Sequence, residues 1–236
     1  MKETVFTGIR FVYFDLDDTL LDHKSAQMKA LDATLAEFDI FEHISSEEFK
    51  KAYHNRNKEL WHLYNHGKID KDELRYRRFA DTLDELGLDN GLFDKVESRY
   101  MHHYEHSWDW VPGADAVYDR IRENYASGIV TNGFANIQYK KIDKFDLVKN
   151  GEKTVISEEV GYLKPHPKIF EHAIELAGVQ PNQVLYVGDS FNSDIEGGKR
   201  AGLQTAWYNP GNTNQKPDEA DLVFDDFSVL ANQLFP

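Results

Sequence analysis

The sequence predicts an α/β protein: a doubly wound parallel sheet, interrupted after its first strand by an α-helical insertion. Three observations predict it. From about residue 110 onward, short β-branched and aromatic runs alternate with helical stretches, the pattern of strands joined by crossover helices. A similar apolar run, Phe11-Val12-Tyr13-Phe14, stands alone near the start. Between the two, roughly 85 residues carry helical periodicity and many charges, with no convincing strand.

The first run reads as a buried strand cut off by Asp15, with Asp17, Asp18 and Thr19 behind it. Carboxylates there are poor core residues, because a buried charge is costly without a partner. They belong where the strand leaves the sheet, the edge at which open α/β sheets bind ligands.

The insertion follows at once. Ala26, Ala30, Leu31, Leu35 and Phe38 recur at helical spacing. Ser45 with Glu48 caps a second helix that stops at Gly67, and Asp70 with Glu73 caps a third that ends near Gly87. A fourth covers 92–106. The expected division is a core of 1–21 and 108–236 around a helical domain of 22–107.

After the insertion, Pro112 suits the first turn of a helix running to Asn124. Residues 126–130 form a strand ending at Thr131-Asn132-Gly133, and a helix opens near Phe134. Residues 154–156 form a short strand. Pro165 starts a helix that runs to Ala177 and ends at Gly178. Residues 184–187 form a strand stopped by Gly188-Asp189, and the helix after it passes through Ile195 and Ala201 to Gly202. Two further strands cover 205–207 and 222–224, separated by a polar loop over 209–217.

Composition narrows the function. The 236 residues, 41% hydrophobic, suffice for a sizeable core and contain no apolar run near the roughly 20 residues that span a bilayer. The start lacks the pattern of a signal peptide. The absence of cysteine excludes disulfides, thiolate metal sites and cysteine nucleophiles. These features point to a cytoplasmic protein. With 27 Lys and Arg against 41 Asp and Glu, the net charge of −14 disfavours a nucleic-acid polymer. A small anionic substrate remains compatible if local positive charge, such as a metal ion, is supplied.

In a parallel sheet, Asp15, Thr131-Asn132 and Asp189 share one edge, joined by Lys164 and Asp194. Four carboxylates (Asp15, Asp17, Asp189, Asp194) beside Lys164 would repel one another. A hard divalent cation with oxygen ligands resolves that repulsion, and Mg²⁺ is the usual choice where phosphate is bound. Lys164, Thr131 and backbone N–H groups near Asn132 and Gly133, where a helix opens, then suit a phosphate. Such a set suits phosphoryl transfer to a carboxylate.

These residues resemble the motifs of the haloacid dehalogenase (HAD) superfamily of phosphohydrolases. Asp15-Leu16-Asp17-Asp18-Thr19 is similar to its first motif, Thr131 to the second, Lys164 to the third, and Gly188-Asp189-Ser190 with Asp194 to the fourth. The resemblance covers nearly the whole chain and implies a Rossmann-like core. It implies Asp15 as nucleophile and Asp17 as general acid–base. Mg²⁺ would be held by the Asp15 carboxylate, the Asp17 backbone carbonyl and Asp189, with Asp194 acting from behind these ligands. The insertion resembles the C1 type of cap, which would close over the substrate. Thr131-Asn132-Gly133-Phe134, 156–161, Gly197-Gly198, 201–203 and, in the cap, 67–69 with Arg78-Phe79 are similar to bacterial house-cleaning pyrimidine 5′-nucleotidases. His166 departs from the acid that many relatives have, and should alter only the helix start. The expected function is hydrolysis of a small phosphorylated metabolite, such as a nucleoside 5′-monophosphate, by a monomer or homodimer. A sugar-phosphate or phosphoglycolate phosphatase, a phosphomutase, and a non-catalytic phosphate-binding module stay open.

Other residues receive plainer readings. Asp18 turns the chain, and Thr19 orients the loop. His102, His103 and His106 form a solvated helix face rather than a metal site. Trp61, Tyr64 and Phe79 belong to the core of the insertion, Arg75 and Arg78 to a solvated or ion-paired face. Trp108 and Trp110 pack where the chain returns from the insertion.

Overall fold

Six parallel strands form one sheet in the order β3-β2-β1-β4-β5-β6. They are β1 (Phe11–Phe14), β2 (Ala126–Thr131), β3 (Lys153–Ile156), β4 (Val184–Gly188), β5 (Gln204–Tyr208) and β6 (Leu222–Phe224). The computed structural model describes residues 5–149, 151–211 and 220–235, so 212–217 of the expected polar loop lie outside them. The chain divides into two compact units: Met1–Asp22 with Trp110–Pro236, and His23–Asp109.

β1 sits between β2 and β4, with Phe14 opposite Ile129 on one side and Val187 on the other. The strand order reverses at β1 and β4, the switch point where such sheets open a crevice. Every residue of β1 is buried. Alternation sends Val12 and Phe14 into one core with Tyr118, Ile121 and Phe227, and Phe11 and Tyr13 into a second core with Ile169, Phe170 and Ala173. A strand covered on both faces has no room for charge until it leaves the sheet. That is why the acids begin at Asp15.

The inserted unit holds four helices: α1 (His23–Leu35), α2 (Ser46–Asn65), α3 (Lys71–Glu85) and α4 (Phe93–His106). The Ser45 side chain accepts from the Glu48 N–H, and the Asp70 carboxylate from the Glu73 N–H at 2.8 Å, satisfying N–H groups the helices leave open. Phe79 is fully buried against Tyr53 and Tyr100. Trp61 and Tyr64 are half-buried, because they fall in the last turns of α2 and contact each other edge to face. Arg75 and Arg78 both reach Glu97, and Arg78 lies over the Phe79 and Tyr100 rings. His106 hydrogen-bonds the His102 carbonyl, and no metal-competent group includes these histidines among the described residues.

The remaining helices flank the sheet: α5 (Ala114–Asn124), α6 (Ala135–Lys144), α7 (Ser157–Val160), α8 (Pro167–Ala177), α9 (Gly197–Arg200) and α10 (Phe227–Leu234). Two expected starts move by two residues. α5 begins after Pro112, because Gly113 takes a left-handed φ of 77° at its cap. α8 begins at Pro167, with His166 as the cap through its Nδ1, while Pro165 follows a cis peptide bond from Lys164. α7 and α10 add to the sequence expectation. Trp108 packs on Tyr104 within the inserted unit. Trp110 packs on Phe145 and Tyr118 within the sheet unit.

Candidate active site

The peptide N–H of Asp15 still donates to the Val187 carbonyl at 2.8 Å, so this carboxylate is carried on the next rung of the ladder. The chain then coils tightly. Leu20 and Leu21 donate to the Leu16 carbonyl, Asp18 donates to Leu21, and Asp18 takes a φ of 64°. Aspartate tolerates that conformation better than most residues, in keeping with a turning role. Thr19 is fully buried, and its hydroxyl donates to Asp15 Oδ2 at 3.0 Å. The loop reading of Thr19 therefore extends to holding Asp15 itself.

Lys164 reaches the same point from the loop before α8. Its Nζ lies 2.6 Å from Asp15 Oδ1, 2.7 Å from Asp194 Oδ1 and 3.0 Å from the Tyr186 hydroxyl. Its backbone is fixed by Asn132, whose side-chain amide donates to the Lys164 carbonyl and accepts from the Lys164 N–H at 2.8 Å. Asp194 is buried, and its second oxygen accepts from Ser190 N–H at 3.0 Å. It stands in a wide π-type turn, Phe191–Glu196, that leads into α9. Such insertions are frequent at functional sites. Gly188 makes this possible: a Cβ there would come within 2.5 Å of Asp194. Oxygens of Asp15, Asp189 and Asp194 lie within 4.8 Å of one another.

The electrostatics are those of a crowded acidic edge. Burial raises the Asp15 carboxyl well above its ordinary range, Asp194 and Asp189 add to the rise, and Lys164 opposes it. Burial alone would weaken the Lys164 ammonium. Asp15 and Asp194 more than offset that and hold it charged.

Asp17 was expected to share Lys164 as the single nearby cation. A second cation corrects this. Lys141, on α6, is buried, and its Nζ lies 2.6 Å from Asp17 Oδ1. Gln138, three residues earlier, donates its Nε2 to Asp17 Oδ2 at 3.0 Å and to Thr131 Oγ1 at 2.6 Å. Sequence reasoning passed over Gln138, Lys141 and Tyr186. The signal was the apolar spacing of α6, where Phe134, Ile142 and Phe145 mark a stripe that also contains positions 138 and 141. The helix opening is also busier than expected. Gly133 N–H donates to Ser157 Oγ, and Ala135 N–H to the Glu158 carboxylate at 2.6 Å. Those two donors of the anticipated anion site are therefore engaged within the protein.

An acidic edge at the switch point of a parallel α/β sheet, with two buried lysines paired to its carboxylates, is the kind of site at which enzymes of this architecture work on anionic groups. The model of the haloacid dehalogenase-like hydrolase family matches residues 12–208, and the chain belongs to this family. It is an enzyme of the hydrolase class, with the Rossmann-like fold of that family. It is 34% identical to pyrimidine 5′-nucleotidase YjjG of Escherichia coli (strain K12), over 87% of this chain and 88% of that one. It is 30% identical to the glyceraldehyde 3-phosphate phosphatase of Pyrococcus furiosus, over 93% and 87%. The magnesium-bound crystal structure of the HAD-hydrolase YfnB from Bacillus subtilis superposes with a TM-score of 0.80 at 28% identity, covering 98% of this chain and all of that one. Among the described residues, no helix is long and apolar enough to cross a membrane.

Proposed function

We propose that this hydrolase is a Mg²⁺-dependent phosphomonoesterase of the cytoplasm that acts on small phosphorylated metabolites, nucleoside 5′-monophosphates foremost. The observation that carries the reading is the convergence of Asp15, Asp17, Thr131, Lys164, Asp189 and Asp194 on one sheet edge. The nucleotidase relative supports the substrate class.

The donor set suits a hard divalent ion, being built of carboxylate oxygens with no sulfur or imidazole. Asp15, Asp189 and the Asp17 backbone carbonyl would hold it. Asp194 has Lys164 and Ser190 on its two oxygens, so it acts from behind by fixing the lysine. When bound, the ion offsets the negative charge that keeps a phosphate away from a carboxylate nucleophile.

The chain's own residues carry the steps. Lys164 and Thr131 bind the phosphate oxygens. With the Asn132 side chain committed to Lys164, that residue contributes through its main-chain N–H. An Asp15 oxygen attacks phosphorus, the bond to the ester oxygen breaks, and Asp17 gives that oxygen its proton. Asp17 then takes a proton from water, whose oxygen attacks phosphorus. The bond to Asp15 breaks, releasing phosphate and restoring the carboxylate. The inserted helical unit serves as the cap that selects the leaving group.

A phosphate-release panel of nucleoside monophosphates, sugar phosphates and small phosphoacids tests this. Turnover should vanish in EDTA, return with Mg²⁺ and be lost in Asp15→Asn. Wild-type activity in that variant refutes the mechanism. Turnover of glyceraldehyde 3-phosphate or phosphoglycolate, with every nucleotide inert, refutes the substrate class.

A further inference from the structure

We propose that Lys141 is a positioning residue: with Gln138 it aims the Asp17 carboxylate, and it acts on the reaction only through Asp17. Lys141 and Gln138 stand three apart on α6 and so share a face. Between them they hold both oxygens of Asp17, Lys141 at 2.6 Å and Gln138 at 3.0 Å. The Lys141 side chain is 2% exposed, whereas that of Asp17 is 23% exposed. The carboxylate opens toward solvent, and the ammonium lies behind it.

The arrangement divides the acids. Lys164 serves Asp15 and Asp194, while Lys141 serves Asp17. A flexible acid beside a nucleophilic acid would sample orientations that compete for Lys164. A separate buried cation removes that competition and leaves Asp17 in one place. Gln138 adds a register mark, since the same Nε2 reaches the Thr131 hydroxyl at 2.6 Å. The proton donor and the phosphate-contacting threonine are thereby set by one amide. Gly133 leaves room for this link: with a φ of 153°, a Cβ there would meet the Gln138 side chain at 3.0 Å.

The inference rests on reading Asp17 as the general acid–base, and the experiment separates the two ideas. An aryl phosphate such as p-nitrophenyl phosphate expels a stabilised anion and needs little protonation. An alkyl phosphate needs its leaving oxygen protonated, an effect that contributes about 10²–10⁴-fold. Asp17→Asn, Lys141→Met and Lys141→Arg are compared with wild type on p-nitrophenyl phosphate and on the best alkyl ester of the phosphate-release panel. Asp17→Asn should lose kcat/KM selectively on the alkyl ester, because kcat/KM reports the steps up to departure of the leaving group and leaves out the water step that both esters share. Lys141→Met should lose about 100-fold in kcat/KM on the alkyl ester and less than about fivefold on the aryl ester. Lys141→Arg should recover at least about tenfold of the alkyl loss. If Asp17→Asn shows no selectivity, the reading of Asp17 fails. If Asp17→Asn is selective while Lys141→Met loses equally on both esters, or loses nothing, the role given to Lys141 is overturned. Should Lys141→Met not fold by circular dichroism, Lys141→Gln, which keeps a donor and drops the charge, carries the same comparison.

Discussion

Lys164→Met leaves two buried carboxylates facing each other with their shared cation gone. The Lys164, Asp15 and Asp194 side chains are 2%, 8% and 1% exposed, and the ammonium touches the acids at 2.6 and 2.7 Å. Breaking a buried ion pair by deleting one partner costs about 3–5 kcal/mol. With a urea m-value of about 2–3 kcal/mol/M, the unfolding midpoint of the metal-free protein should fall by roughly 1–2 M near pH 8. The loss should depend on pH. Burial, then Asp194 and Asp189, already raise the Asp15 carboxyl above its unfolded value, and Lys164 is the opposing influence. Removing it raises the carboxyl further. A folded-state acid with a raised value binds more protons than the unfolded chain, so stability declines as pH climbs through that window. The deficit should therefore shrink on acidification to about pH 5, where a proton can replace the lost cation. Urea titrations in EDTA, followed by circular dichroism at both pH values, read this directly. A midpoint shift under about 0.3 M near pH 8, or one equal at both pH values, would refute the reasoning.

Gly188→Ala should push Asp194 away, because the new methyl would lie 2.5 Å from its Cβ, Cγ and Oδ2. Overpacking of this kind costs about 1–3 kcal/mol, and phosphatase activity should drop at least about tenfold through the displaced Lys164; the melting temperature and turnover on p-nitrophenyl phosphate check the pair. In the inserted unit, Asp70→Ala removes the acceptor for the Glu73 N–H and should cost about 1 kcal/mol in urea unfolding, while Asp70→Asn should cost much less.

The parts of the fold legible in the sequence were those where one physical rule acts alone. A short apolar run ended by acids marks a strand leaving a sheet, and Asp15 and Asp189 stand at such ends. Gly67 and Gly87, at φ of 63° and 69°, stop the helices they follow. The boundaries that moved are those where two helix signals compete within a few residues, Pro112 against Gly113 and Pro165 against Pro167. The site was legible where its residues follow a strand. It was hidden where a polar residue takes a core position. Tyr186 lies in an apolar strand, yet its hydroxyl donates to the Val130 carbonyl and accepts from Lys164. Lys141 falls on the apolar stripe of α6, but its partner shows only once the sheet brings Asp17 alongside. Single-chain periodicity records which face is buried, and it is silent on which charge waits inside.

The path of the chain around the insertion has a consequence for inheritance. Leu20 accepts from Val111 N–H at 2.9 Å, and Leu21 pairs with Trp110 in an antiparallel bridge. The outgoing and returning segments are thus stapled together before the inserted unit begins at His23 and after it ends at Asp109. Such a staple isolates the sheet unit from the length and content of whatever is spliced between its two ends. An ancestral sheet could exchange one helical insert for another, or for a short hairpin, without relearning how to hold Asp15. Recombination at these two joints would then replace the inserted unit while leaving these two contacts of the sheet unit in place.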